Sequence, residues 1–280
     1  MEGADYKNFD IAVNKLRKFF RDVKGFKEVH TQNKLSILAA CEDPTTIATY
    51  NYDGRKWPMP QTGQMWLEHY LLEHPEENGF FCVSTSYRNE PNPVPGRHDK
   101  IFPMFEFELK GGMEELRALE KELLEYLGFR KNENGEYPGD DYDNIAEKYG
   151  VKELEHEHET KLDEEYGSVF FLENFPEHTS PFWNMRLQEN GTHSNKIDVI
   201  IHGMETIGSA ERSTSSKEMK EKFETISEGG YAGILYDQFG KERVQNELDE
   251  FLKYDFFQRS GGGIGMTRMI RAMKLSNILV

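Results

Sequence analysis

The sequence predicts an α+β fold, a mainly antiparallel sheet flanked by helices, on three observations. Strand-like segments come in hairpins, and helical patterns fall between them without the regular alternation that a parallel sheet requires. No repeat divides the 280 residues, so the chain reads as a single domain over 1–280 with a polar insertion near 131–165.

Each element has a local signal. Apolar positions Leu16, Phe19, Phe20 and Val23 recur at helical spacing over Phe9 to Val23, and Gly25 suits a left-handed C-cap. A short strand follows from Phe26 to Thr31, then a helix around Thr62 to Glu73. Phe80 to Glu90 and Ile101 to Leu109 read as strands joined by the proline-rich loop Pro91 to Lys100, a long-looped hairpin. Glu114 to Leu127 is rich in Glu, Leu and Lys and predicts a helix, whereas Lys131 to Glu165 is acidic and poor in core residues, the pattern of an insertion or mobile excursion. Strands resume at Val169 to Leu172 and Lys196 to His202, with helices near Ser216 to Glu224 and Lys241 to Lys253. The chain closes on glycines from Gly261 to Gly265, read as a glycine-rich turn, before a helical pattern carrying Met269, Ile270 and Met273.

Composition excludes several classes. With 37% hydrophobic and 12% aromatic residues the chain is neither disordered nor membrane-spanning, and its acidic, polar start lacks the pattern of a secretory signal, which predicts a cytoplasmic protein. A net charge of −16 opposes a dedicated nucleic-acid binder. The basic residues Lys15, Arg17, Lys18, Arg21 and Lys24 are explained by a solvated helix face. Cys41 and Cys82 form no metal or disulfide pattern and read as buried thiols.

Three segments ask for one anionic ligand. The terminal glycines, with Gly263 and Gly265, let backbone approach a flat or charged group without Cβ interference, and Arg268 follows at once. The run lacks the Lys-Ser/Thr ending of a phosphate loop and lies too late to open a dinucleotide fold. In the first hairpin, alternation places Ser84, Ser86, Arg88 and Glu90 on one face and Met104, Glu106 and Glu108 on one face of its partner. An exposed ion-paired face would look the same, but Arg97 and His98 in the connecting loop can fold over an anion. In the third segment Asp198 and Glu205 are joined by a short strand and a turn at Gly203, the sparse carboxylate set that Mg2+ needs beside a nucleotide. Arg212 can make a bidentate contact to a substrate carboxylate or carboxamide, with Ser209 beside it where small residues leave room.

Taken together, YRNE, RH, FEFE, FLENFP, the Asp198, Glu205 and Arg212 spacing and the terminal glycines resemble, in order, the motifs of class II aminoacyl-tRNA synthetases of the aspartate, asparagine and lysine subgroup. The resemblance runs from Arg17 to Arg268. It implies a homodimer, ATP and Mg2+ as substrate and cofactor, and amino-acid activation. It also implies Arg88 on the α-phosphate, Arg268 on the γ-phosphate, and Phe102 stacked on adenine with Glu90 and His98 nearby. Asp198 and Glu205 would hold Mg2+, and Gln64 and Glu106 the α-amino group.

The lysine enzymes carry an acid where this chain has Arg212, so aspartate or asparagine is indicated. QTGQMWLE, Gln61 to Glu68, is similar to the asparagine branch, with Leu67 where aspartyl enzymes place lysine. Gln32, Ile101 and Thr267 depart from the pattern, replacing a proline, a glutamate and an acid. The chain begins almost at the first motif, leaving no room for the anticodon-binding barrel. That combination is similar to the ammonia-dependent asparagine synthetases. The expected function is therefore adenylation of aspartate with release of asparagine. The alternatives are transfer of an activated aspartyl or asparaginyl group to tRNA or another acceptor, or a non-catalytic regulator derived from a synthetase.

Among the remaining motifs, Glu155 to Glu159 with its alternating histidines reads as a solvated acidic run, Trp57, Trp66 and Trp183 as core, and His202 as a structural or ligand-facing histidine.

Overall fold

A computed structural model describes residues 5–97 and 99–279; His98, expected near adenine, lies outside them. An eight-stranded sheet has the order β1-β4-β5-β10-β9-β8-β7-β6, built from Lys27–Glu28 (β1), Gly79–Tyr87 (β4), Ile101–Lys110 (β5), Gly139–Asp141 (β6), Val169–Pro176 (β7), His193–Ile201 (β8), Glu205–Glu211 (β9) and Arg259–Gly265 (β10). Only its two outermost pairings are parallel. A separate hairpin is formed by Thr49–Tyr52 (β2) and Arg55–Pro58 (β3).

Strand alternation divides the molecule into layers. Phe105, Phe107, Ile197, Val199, Ile207 and Ile264 share one sheet face, and the helices Tyr6–Lys18 (α1), Met113–Leu127 (α3) and Met266–Leu275 (α9) bury it. Phe20 seals this layer, with its ring 5.0–5.9 Å from those of Phe26, Phe81, Phe105 and Phe107. Over the other face lie Gln64–Glu73 (α2) and a second cluster around Trp183. Ser216–Thr225 (α6), Gly230–Phe239 (α7) and Lys241–Phe251 (α8) build that cluster. Removing an aromatic from either would leave a large cavity, so these layers fix the position of everything between them.

Several expectations are corrected here. The polar stretch 131–165, read as an insertion or mobile excursion, carries secondary structure: it supplies β6 and the helices Tyr142–Tyr149 (α4) and His156–Tyr166 (α5). Few apolar residues suffice, because Tyr142, Ile145 and Leu162 all point at Phe170, Leu172 and Ile200 of the sheet. The solvated reading of the histidine run fails at His158, which is buried, stacks on Tyr149 and accepts the Glu155 N–H at 2.8 Å. The terminal glycines are a strand, not a turn. Glycine is a poor strand former in isolation, but a Cβ on Gly261 would stand 1.9 Å from the Glu108 carboxylate and 2.4 Å from the Phe107 carbonyl. The first helix passes into a π-helical turn at Phe19–Val23, the strand expected over Phe26 to Thr31 shortens to β1, and β4 ends before Arg88 and Glu90. Cys41 and Cys82 are buried free thiols, as read.

Glu120 sits fully buried on α3, beneath the centre of the sheet. Burial pushes its carboxyl up to about 8, and neither of its oxygens has a hydrogen-bond partner among the described residues. The folded chain thus keeps a proton that the unfolded chain releases near the ordinary glutamate value of 4.5. Stability must therefore fall as pH rises between those two values. Thermal midpoints of wild type and Glu120→Gln measured at about pH 5 and about pH 8 should show the wild type losing ground to the variant at the higher pH.

Candidate active site

A cavity of about 460 Å³ opens on the sheet face opposite α1, α3 and α9. Its floor is β5 and β10, and the register explains its depth: Gly263 pairs with Glu106 and Gly261 with Glu108, so two carboxylates face a strip of backbone without side chains. Among the residues that line it are Arg88, Glu90, Arg97, Phe102, Gly263, Gly265 and Arg268 toward one end, and Gln64, Glu106 and Arg212 toward the other.

At the first end Arg88 leaves β4 with its N–H bonded to the Lys100 carbonyl at 2.8 Å. Its guanidinium pairs with Glu42 and lies 6.0 Å from the centre of the Phe102 ring, while its Nε has no partner among the described residues. Arg268, on the first turn of α9, donates to the Glu205 carbonyl at 2.7 Å and the Arg97 carbonyl at 3.3 Å. Arg97 itself reaches Glu159 at 2.7 Å and the Gly203 carbonyl at 3.2 Å. Backbone carbonyls thus aim two guanidinium groups into one volume that an anion can enter.

Asp198 and Glu205 converge over Gly208. A Cβ there would lie 2.9 Å from Glu205 Oε1 and 3.5 Å from Asp198 Oδ1. Burial pushes the Asp198 carboxyl up to about 7, offset in part by Lys196, whose Nζ holds Oδ2 at 2.7 Å; Oδ1 has no partner among the described residues. An unpartnered carboxylate oxygen beside a second carboxylate fits Mg2+, whose remaining positions phosphate and water can fill. No group of three or more His, Cys, Asp or Glu able to hold a metal occurs among the described residues.

The closed end is a charged network inside the protein. Arg212 contacts Glu108 at 3.3 and 3.4 Å and the Gly261 carbonyl at 3.2 Å, and all of Glu68, Glu108, Arg212 and Arg259 are buried. Burial raises the Glu108 carboxyl to about 7 despite Arg212 beside it. Gln64 donates to the Phe107 carbonyl at 2.9 Å and to Glu108. Burial likewise raises Glu106, against hydrogen bonds from Ser84, Thr62 and the Gly63 N–H.

Most sequence candidates therefore meet in one cavity, with two adjustments. Ser209 turns its hydroxyl to the Ile197 carbonyl at 3.3 Å, and a Cβ on Gly262, which points to the buried layer, would touch it at 2.5 Å. It offers the cavity only backbone. His202 bonds Ser276 at 2.8 Å and is structural. Sequence reasoning missed Glu42, Glu159 and Lys196. Lys196 could have been found, because alternation puts it on the Asp198 face; Glu42 lies in a loop without periodicity.

A family model for class II tRNA synthetases (D, K and N) matches residues 7–278. The chain belongs to this family. Its fold is similar to asparaginyl-tRNA synthetase of Pyrococcus horikoshii complexed with asparaginyl-adenylate (TM-score 0.77, 20% identity, 98% of this chain and 66% of that one). It is also similar to the Entamoeba histolytica asparaginyl enzyme in complex with asparaginyl-adenylate (0.74, 16%, 97% and 63%) and to aspartyl-tRNA synthetase of the same organism (0.70, 16%, 98% and 56%). At such identities the likeness speaks for the fold, and this class II chain spans less than two thirds of each of those proteins. No curated protein matches it in sequence. Gln32 shows one way it departs from the motifs of its family: the residue takes a φ of 62°, which the proline expected there cannot adopt. No helix among the described residues is long and apolar enough to cross a membrane.

Proposed function

We propose that this class II chain uses ATP to adenylate the side-chain carboxylate of aspartate and releases asparagine when ammonia displaces AMP. The observation that carries the choice is the Arg212–Glu108 pair at the closed end. A guanidinium beside a carboxylate complements the α-carboxylate and α-ammonium of an amino acid together. Aspartate seated that way directs its side-chain carboxylate toward Arg88 and Arg268.

The carboxylate then attacks the α-phosphorus in line and pyrophosphate leaves, a reaction that needs positioning and charge neutralisation rather than a protein nucleophile. Arg88 and Arg268 hold phosphate oxygens, Phe102 offers a ring face for adenine, and Glu42 yields Arg88 to the ligand. Mg2+ bound through Asp198 and Glu205 would supply charge neutralisation on the phosphates. Ammonia attacks the acyl carbon, AMP departs, and a proton is released. The presence of both phosphate arginines with the carboxylate pair weighs against a non-catalytic regulator. A homodimer is the assembly that goes with this reading.

A second reading rests on Glu106. Ringed by donors, it suits an α-amino group, which would turn the α-carboxylate toward ATP, as in enzymes that charge tRNA; two of the structural relatives hold asparaginyl-adenylate. Amino-acid-dependent exchange of pyrophosphate into ATP separates the readings. Exchange with aspartate, and free asparagine on adding ammonium, supports the first. Exchange with asparagine and charging of bulk tRNA would replace it with the second.

A further inference from the structure

A second cavity, of about 720 Å³, adjoins the first, and Leu38 and Met65 line both. Both side chains are buried, so the partition between the cavities is apolar. It is also held in place: Glu247 accepts the N–H groups of Ile37 and Leu38 at 2.8 and 3.2 Å. Such a wall opposes an ion, which would lose its hydration there, far more than it opposes a small neutral molecule.

The outer cavity carries polar groups suited to the ionic form of that molecule. Glu73, Glu247 and Glu250 line it against Lys34 and Lys253, the last paired with Glu250. Within it Tyr254 donates its hydroxyl proton to Glu73 at 2.6 Å, so the lone pair of the same oxygen faces His69 Nδ1 at 3.1 Å. Nδ1 must then carry the ring proton, leaving Nε2 as an acceptor. The ring is fixed by edge contacts to Phe251 and Tyr254, and burial holds its pKa below the ordinary histidine value, so the imidazole is neutral.

We propose that this cavity is the ammonia port of the amide-forming reaction: ammonium docks on His69 Nε2 and neutral ammonia passes between Leu38 and Met65 to the acyl adenylate. The inference rests on the aspartate–ammonia reading above. On docking, ammonium donates an N–H to Nε2; one of its N–H bonds then breaks, the electron pair stays on nitrogen, and the proton passes to solvent water. The nitrogen pair then forms the C–N bond as the bond from acyl carbon to AMP oxygen breaks. AMP leaves with that electron pair and the amide nitrogen sheds its extra proton to water.

The test uses the full chain and two variants outside the adenylating cavity, His69→Leu and Tyr254→Phe. Loss of one hydrogen bond to a charged ligand predicts a KM for ammonium raised by about tenfold or more in His69→Leu, and by a smaller factor in Tyr254→Phe. Aspartate-dependent pyrophosphate exchange should stay within about twofold of wild type, and kcat should recover at saturating ammonium. An unchanged ammonium KM in both variants overturns the port while leaving the aspartate–ammonia reading intact. Should His69→Leu lose exchange through misfolding, Tyr254→Phe decides alone, since it retains the packed ring. A wild-type chain that exchanges pyrophosphate yet forms no asparagine from ammonium removes the reading and the port together.

Discussion

Arg88→Ala is expected to lower amino-acid-dependent pyrophosphate exchange by about 10²- to 10³-fold, the usual cost of removing one preorganised donor to developing charge. The argument starts from its surroundings. Its Nε is buried with no partner among the described residues, and the acid it pairs with, Glu42, sits on a loop rather than in the sheet. The unfilled donor and the exchangeable partner leave the guanidinium available to phosphate. Because that ion pair is partly exposed, its loss should cost the fold about 1 kcal/mol or less, so circular dichroism and urea midpoints should stay near wild type. Exchange at the wild-type rate would remove Arg88 from the phosphate site. Arg268 makes a different case, because its bonds to the carbonyls of Glu205 and Arg97 also hold the walls of the cavity. Its alanine variant would mix lost phosphate binding with a displaced Glu205, which is why Arg88 is the cleaner experiment.

How much of this was legible in the sequence follows from the range of the forces involved. Period-two alternation in Phe80 to Tyr87 and Ile101 to Leu109 is local, and it correctly put Ser84, Glu106 and Glu108 on the ligand face. Helix patterns at Glu114 to Leu127 and Lys241 to Lys253 were right to within two residues for the same reason. The glycine strand β10 was not legible, because its strand character comes from neighbours on both sides that leave no space for a side chain. Nor were α4 and α5, whose few apolar residues gain meaning only once Phe170 and Leu172 are facing them. At the site, residue types announced charge but not pairing. Arg212 was read as a contact for a substrate carboxylate or carboxamide, and that reading held no hint of its pairing with Glu108, 104 positions away in sequence.

Glu68→Leu is expected to destabilise the chain by about 3–5 kcal/mol, because it strands Arg259 in the interior. Both side chains are completely inaccessible, and Arg259 gives Glu68 two bonds, at 3.1 and 2.8 Å, while Asn184 gives it a third at 2.7 Å. Its other partners among the described residues are the Ser213 and Phe257 carbonyls and the face of Phe256, which can solvate but not neutralise it. Pairing Glu68→Leu with Arg259→Met should recover most of the loss, since two apolar groups of similar volume replace two desolvated ions. Urea unfolding of both singles and the double measures this coupling directly, and additive single effects would show that the ions do not act as a pair. Activity should not recover in step. Arg212 lies 3.8 Å from Glu68, and without that carboxylate the guanidinium keeps Glu108 as its paired carboxylate but loses one of the acids beside it. A double variant that folds well but binds aspartate poorly would separate the two duties of this network, holding the fold closed and setting the charge of the pocket floor.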